Sequence, residues 1–176
     1  KGDKPDPGFG HYAKLQTLQD LPSEDILQVP FVNAAFWMIP IHVLQKVGGF
    51  CPLFYHYGED KDFVNRLHYH QYQVGYSPQV FGNHDREYRP STHEGFLRTE
   101  SVYHLSEYVN INHPWLKAFG YGVLAVMKKA LTSLISGKFQ LSKDYLRMGF
   151  QLLSRSTEIQ SYRKINRLSQ PHYIQK

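Results

Sequence analysis

Val29-Pro30-Phe31-Val32-Asn33-Ala34-Ala35-Phe36-Trp37-Met38-Ile39 is apolar on both alternating faces, as a strand covered on two sides would be, and the predicted fold turns on it. Pro40 follows where a first helical position tolerates proline, and Gly48 stands where a helix ends. The spacing predicts a short helix from about Ile41 to Val47. After Gly48-Gly49-Phe50 and the aromatic stretch Phe54-Tyr55-His56-Tyr57, Gly58 introduces Glu59-Asp60-Lys61-Asp62, with Phe63, Leu67 and His70 following at helical spacing. The acidic cluster therefore occupies a helix's first turn, where unpaired backbone N–H groups favour carboxylates. Val74 to Phe81 predicts a second strand, interrupted at Pro78 and ending at Asn83-His84-Asp85-Arg86. Strand, helix, loop, helix, strand is the order of an α/β layer.

Outward from this region the character changes on both sides. Residues 1–28 hold Pro5, Pro7, Gly8, Gly10 and Pro22 among few apolar anchors and predict a loop crossing an active-site face. Beyond Pro90, Leu116, Phe119, Val123, Met127, Leu131 and Leu134 recur at three- and four-residue steps, predicting an amphipathic helix from Pro114 to Ser136 with Lys117, Lys128 and Lys129 toward its polar side. Leu141, Tyr145, Met148 and Leu152 predict a second helix, and Ile159, Tyr162, Ile165 and Leu168 a weaker third. The organisation expected is thus a segment 1–95 that carries the chemistry and a helical extension 96–176.

The chain has 176 residues, 41% of them hydrophobic, enough to bury a core. One cysteine, Cys51, rules out an internal disulfide framework, and a reducing, cytoplasmic setting is expected. No leader pattern opens the sequence, and the uncharged run Ala118–Met127 is short of the ~20 residues of a bilayer span. Charge is uneven: residues 1–112 carry 9 Lys/Arg against 13 Asp/Glu, a net −4, while residues 113–176 carry 11 against 2, a net +9. The basic block suits an anionic partner, so a membrane-surface or partner-docking module, peripheral at an inner membrane, is one expectation; a solvated helical face is the other. No nucleic-acid-binding signature accompanies the charge, so no nucleic-acid partner is expected.

Two readings of Glu59-Asp60-Lys61-Asp62 are open on the residues alone: a helix start decorated with stabilising carboxylates, or a general base held on a rigid element behind an aromatic wall. Asp60-Lys61-Asp62 also spells Asp-x-Asp, but a metal-holding pair of that kind belongs at the end of an apolar strand, and this one opens a helix. His84, just past the second strand, is either an ordinary strand-end histidine or a group placed for metal or phosphate.

Asn33-Ala34-Ala35-Phe36-Trp37-Met38-Ile39, Val47-Gly48-Gly49-Phe50, Phe54 to Asp62, Arg66-Leu67, Gly75-Tyr76-Ser77-Pro78 and His84, taken in order, resemble the second half of family 2 glycosyltransferases. Among these the run is similar to the rhamnosyl- and galactofuranosyl-transferase-like members that build bacterial surface polysaccharides. The resemblance covers about residues 29–86. It implies the C-terminal half of a GT-A (Rossmann-like) α/β layer followed by an α-helical tail, with the nucleotide-binding half lying upstream of this chain. It implies inverting, metal-dependent transfer from a nucleotide-sugar donor to a glycan or lipid-linked acceptor, with Asp60 deprotonating the acceptor hydroxyl. Glu59 and Asp62 would orient the acceptor or the helix, and Asn33 and Trp37 would line the strand leading into the acceptor region. His84 would complete the coordination of Mg2+ or Mn2+ on the donor diphosphate, while Arg86 and Arg89 would add positive charge to the leaving group. Cys51 departs from the aspartate that the family usually carries after Gly-Gly-Phe.

Overall fold

A computed structural model describes residues 26–34, 36–77 and 92–174. Strand β1 (Leu27–Val29) is followed by α1 (Ile41–Val47), α2 (Glu59–Tyr69) and β2 (Val74–Tyr76). The strands pair antiparallel, Leu27 opposite Tyr76 and Val29 opposite Val74. Then come α3 (His93–Val109), α4 (Trp115–Phe119), a π-helical segment (Gly120–Leu124), α5 (Ala125–Ile135), α6 (Phe139–Ser154) and α7 (Ser156–Asn166).

This corrects the predicted fold class. The described chain is mostly helical with one two-stranded sheet, and it does not form the α/β, Rossmann-like half-layer of a GT-A domain. The run expected to be a buried strand is one only at its first residue, Val29. Pro30 then stops the ladder because it has no N–H to donate. Beyond it Phe36 and Met38 stand 66% and 97% exposed, so the run is not covered on two faces.

The short elements are closer to expectation. Helix α1 has the predicted bounds, with Pro40 one position earlier than expected, as its N-cap, and Gly48 at its end with φ +82°. Val43 and Val47 of α1 pack with Phe63 and Leu67 of α2, joined by Trp37, Ile39 and Val74, to form a small core. A larger core gathers Leu105, Tyr108 and Val109 of α3, Ala118, Val123, Val126 and Ala130 of the long helix, Tyr145, Met148 and Leu152 of α6, and Ile159 of α7. Cys51, Leu53 and Phe54 reach into this same core from the loop before α2.

Helix α3 stands at the centre of the helical part. Thr92 caps it, its hydroxyl accepting the Gly95 N–H at 3.0 Å. Tyr108 stacks on Trp115 at 5.1 Å and bonds Ser156 Oγ at 2.9 Å. Arg163 of α7 is 3% exposed and donates to the backbone carbonyls of Tyr108, Asn110 and His113, tying the end of α3 to the turn that follows. One of the tail's basic residues is therefore a buried strut.

Candidate active site at the start of helix α2

The chain enters α2 through two successive left-handed residues, Tyr57 (φ +69°) and Gly58 (φ +88°). At Gly58 a side chain is excluded twice over: an added Cβ would lie 2.6 Å from Val102 Cγ1 and 2.9 Å from Phe54 Cδ1. Tyr57 has no such excuse. A bulky residue with positive φ costs roughly 1–3 kcal/mol and persists only where its surroundings hold it, a condition that clusters at functional sites. The first-turn bond from the Asp62 N–H to the Gly58 carbonyl, at 3.0 Å, starts the helix immediately after the strained pair.

The four charged residues that follow have four different surroundings. Glu59 is half-buried, and its Oε2 is buried without a hydrogen-bond partner. Asp60 is half-buried; its Oδ1 accepts the Lys61 N–H at 2.7 Å, and Oδ2 has no hydrogen bond among the described residues. Lys61 reaches across to Glu107 of α3 at 2.7 Å and lies 4.5 Å from the Tyr103 ring. Asp62 points inward, 1% exposed, and accepts from Arg66 Nε at 2.8 Å. Burial pushes the Asp62 carboxyl up, against the pull of the Arg66 guanidinium. Of the two roles implied for Asp62, orienting the acceptor or the helix, this geometry suits the helix.

Trp37 packs between Phe50 and Phe63, at 6.3 and 5.7 Å between ring centroids, and its indole N–H is buried without an acceptor. Asn33 is exposed. Tyr55 is fully exposed, and the His56 and Tyr57 rings lie 4.0 Å apart beside it, an aromatic surface at the mouth of the turn. His84, Arg86 and Arg89 lie outside the described residues. Among the described residues no three His, Cys, Asp or Glu side chains gather as a metal cradle, so this part of the chain does not by itself fit a bound Mg2+ or Mn2+. Cys51 is 1% exposed in the larger core, and burial, with Asp62 nearby, pushes its thiol up to about 12. It is a packing residue without nucleophilic character.

Two residues of this site were not singled out as functional from the sequence. Arg66 could have been, since it stands four residues after Asp62, the spacing of a helical ion pair. Glu107 could not, because 46 residues separate it from Lys61 and only the fold brings them together. Depressions of about 370 and 560 Å3 lie elsewhere, between α3 and α6 and beside the α5–α6 turn, and neither includes a residue of α2. Compared with protein-family models, curated proteins and solved structures, the chain matches none.

Proposed function

We propose that the start of α2 is the acceptor side of an inverting sugar-transfer site, with Asp60 as its general base. The acceptor hydroxyl oxygen forms the new bond to the anomeric carbon of a nucleotide-activated sugar, and the nucleoside diphosphate leaves from the opposite face with the bonding electron pair. The hydroxyl proton passes to Asp60 Oδ2. The acceptor class is a glycan or a lipid-linked sugar of bacterial surface polysaccharide, by resemblance of the run 29–86.

The observation that carries the reading is the division of labour within four consecutive residues. Asp62 and Lys61 are fixed by ion pairs to Arg66 and Glu107, anchoring the first turn to the core and to α3. Asp60 is left half-exposed, and among the described residues nothing bonds its second oxygen. The exposed Tyr55 ring suits the apolar face of a sugar. The divalent cation implied with His84 would neutralise charge on the donor diphosphate, and no step here is routed through it.

Asp60→Asn in the intact protein tests the reading, because the amide keeps the shape but accepts no proton at neutral pH. Turnover should fall ~10²–10⁴-fold while binding of the nucleotide-sugar stays unchanged. A variant that keeps most of its turnover would make Asp60 a helix-end carboxylate and nothing more.

A further inference from the structure

The α5–α6 hairpin has an apolar outer face where a surface helix is ordinarily polar. Leu124 at the end of the π-helical segment and Leu131 and Ile135 on α5 are 57%, 57% and 78% exposed, and Phe139, Leu146 and Phe150 on α6 are 70%, 41% and 61% exposed. Both sets run at steps of seven and four residues, so each forms one stripe along its helix. The stripes border the seam between the helices. Met127, one turn before Leu131, sits where an added Cβ on Gly149 would meet its Sδ at 2.7 Å, and Phe150 is the residue after Gly149.

The charge around the stripes has one sign. From Trp115 to Ser154 the chain has six Lys/Arg and one acid, Asp144, which is buried and bonded to His93 and Gln140. Lys129 is tied to Glu100, but Lys128, Lys138, Lys143 and Arg147 are exposed beside the apolar residues. A surface apolar along its middle and basic along its edges, with no exposed carboxylate of its own between Trp115 and Ser154, complements a lipid surface bearing anionic headgroups. A second copy of the chain is a poorer occupant, since a two-fold contact would set these exposed cations against one another.

From this we infer that the α5–α6 hairpin lies in the plane of an anionic membrane, its Leu and Phe stripes in the headgroup layer and its lysines and Arg147 on the phosphates. The inference does not depend on the sugar-transfer reading. The helical stretch Trp115–Ile135, at 21 residues and a mean hydropathy of 1.3, is long and apolar enough to cross a bilayer, beyond what the run Ala118–Met127 predicted. Crossing would strip Ala118, Val123, Val126 and Ala130 from the core and pull Gly122 from its contact with Tyr108. Lying flat keeps that packing and covers only the exposed side.

Flotation of the chain with vesicles of phosphatidylcholine alone or mixed with phosphatidylglycerol tests this. Binding should require the anionic lipid and weaken with added salt. Lys128→Glu combined with Lys143→Glu should weaken it roughly tenfold or more. Leu131→Gln with Phe150→Gln should abolish it while leaving the circular-dichroism melting curve in place, because both side chains are exposed. Binding that ignores lipid charge, binding that survives the apolar substitutions, or no binding overturns the inference. So does concentration-dependent dimerisation abolished by Leu131→Gln with Phe150→Gln, which would assign the face to a second copy.

Discussion

Arg66 is the side chain on which the order of the α2 region depends most. Its guanidinium is fully buried and spends its donors on Asp62 Oδ2 at 2.8 Å, the Val47 carbonyl at 2.8 Å and the Gly49 carbonyl at 2.7 Å. The Phe63 and Tyr173 rings lie 5.0 and 5.7 Å from its central carbon. It thereby closes the end of α1, the Gly48-Gly49 turn and the first turn of α2 around one planar fork, a geometry a lysine cannot reproduce. Arg66→Met should cost about 3–5 kcal/mol in urea unfolding, chiefly because Asp62 is left buried and uncompensated. Lys61→Met breaks a pair whose lysine is a third exposed and should cost about 0–1 kcal/mol. A cost for Arg66→Met no larger than for Lys61→Met would mean that the buried pair contributes no more than a surface one. At this scale the sequence was informative where partners are close along the chain, as for Asp62 and Arg66. It was silent about Glu107, and about which of the four consecutive charged residues turns inward, because burial is decided by what packs on the helix.

Among the elements, the long helix shows how one missing side chain sets a crossing. Between α4 and α5 the chain takes a π-helical turn at Gly120–Leu124, and an added Cβ on Gly122 would lie 2.5 Å from Tyr108 Cβ, against only solvent-side space at Gly120. Gly122 lets this helix press onto α3, whereas Gly120 meets nothing within 4 Å. Gly122→Ala should therefore destabilise by about 1–3 kcal/mol through overpacking. Gly120→Ala should stabilise by up to about 1 kcal/mol through helix propensity alone. Thermal melts of the two variants give the signs, and equal shifts would mean that the close approach to Tyr108 is not what requires the glycine. The helices from α4 to α7 were legible from their periodicity: Val123, Met148, Leu152 and Ile159 are buried where it placed them, but Leu116, Leu131 and Leu134 of the same predicted stripe are 82%, 57% and 48% exposed. Helix α3 went unread because its exposed first half and its buried end share no single apolar face: Phe96 and Tyr103 are 43% and 49% exposed. Leu105, Tyr108 and Val109 are buried together with His104 and Ser106, so no clean apolar stripe marks it. The opposite error at residues 29–39 has a related cause: alternation reports apolar side chains, and whether they are covered depends on neighbours the local sequence does not contain.

At the scale of the whole molecule, the last described residues close back onto the Gly48-Gly49 turn. The Gly49 N–H donates to the His172 carbonyl at 2.8 Å, an added Cβ on Gly48 would meet that carbonyl oxygen at 2.4 Å, and Tyr173 donates to Asn166 Oδ1 at 2.7 Å. The C-terminal segment thus covers the same turn whose carbonyls Arg66 bonds, linking α7 to the candidate site through backbone contacts. The weak point of this closure is His172. Burial, then the positive charges of Arg66 and His70, push its pKa from 6.5 down to about 4, against the smaller opposing pull of the Gln170 backbone. The unfolded chain takes up this proton near 6.5 while the folded chain excludes it until about 4, so the stability supplied by neutral His172 is complete above 6.5 and drains away as the pH falls toward 4. Asp144, bonded to His93, and Glu100, where Lys129 and Tyr145 outweigh burial, are held below the ordinary carboxylate range. Their contributions are lost mainly at lower pH than the upper part of the His172 window. Melting temperatures measured across that window should fall steeply for the wild type, and His172→Leu should flatten the fall while keeping the neutral-pH value within a few degrees. An acid limb that is unchanged in His172→Leu would assign the lost stability to another group and leave the C-terminal segment indifferent to pH.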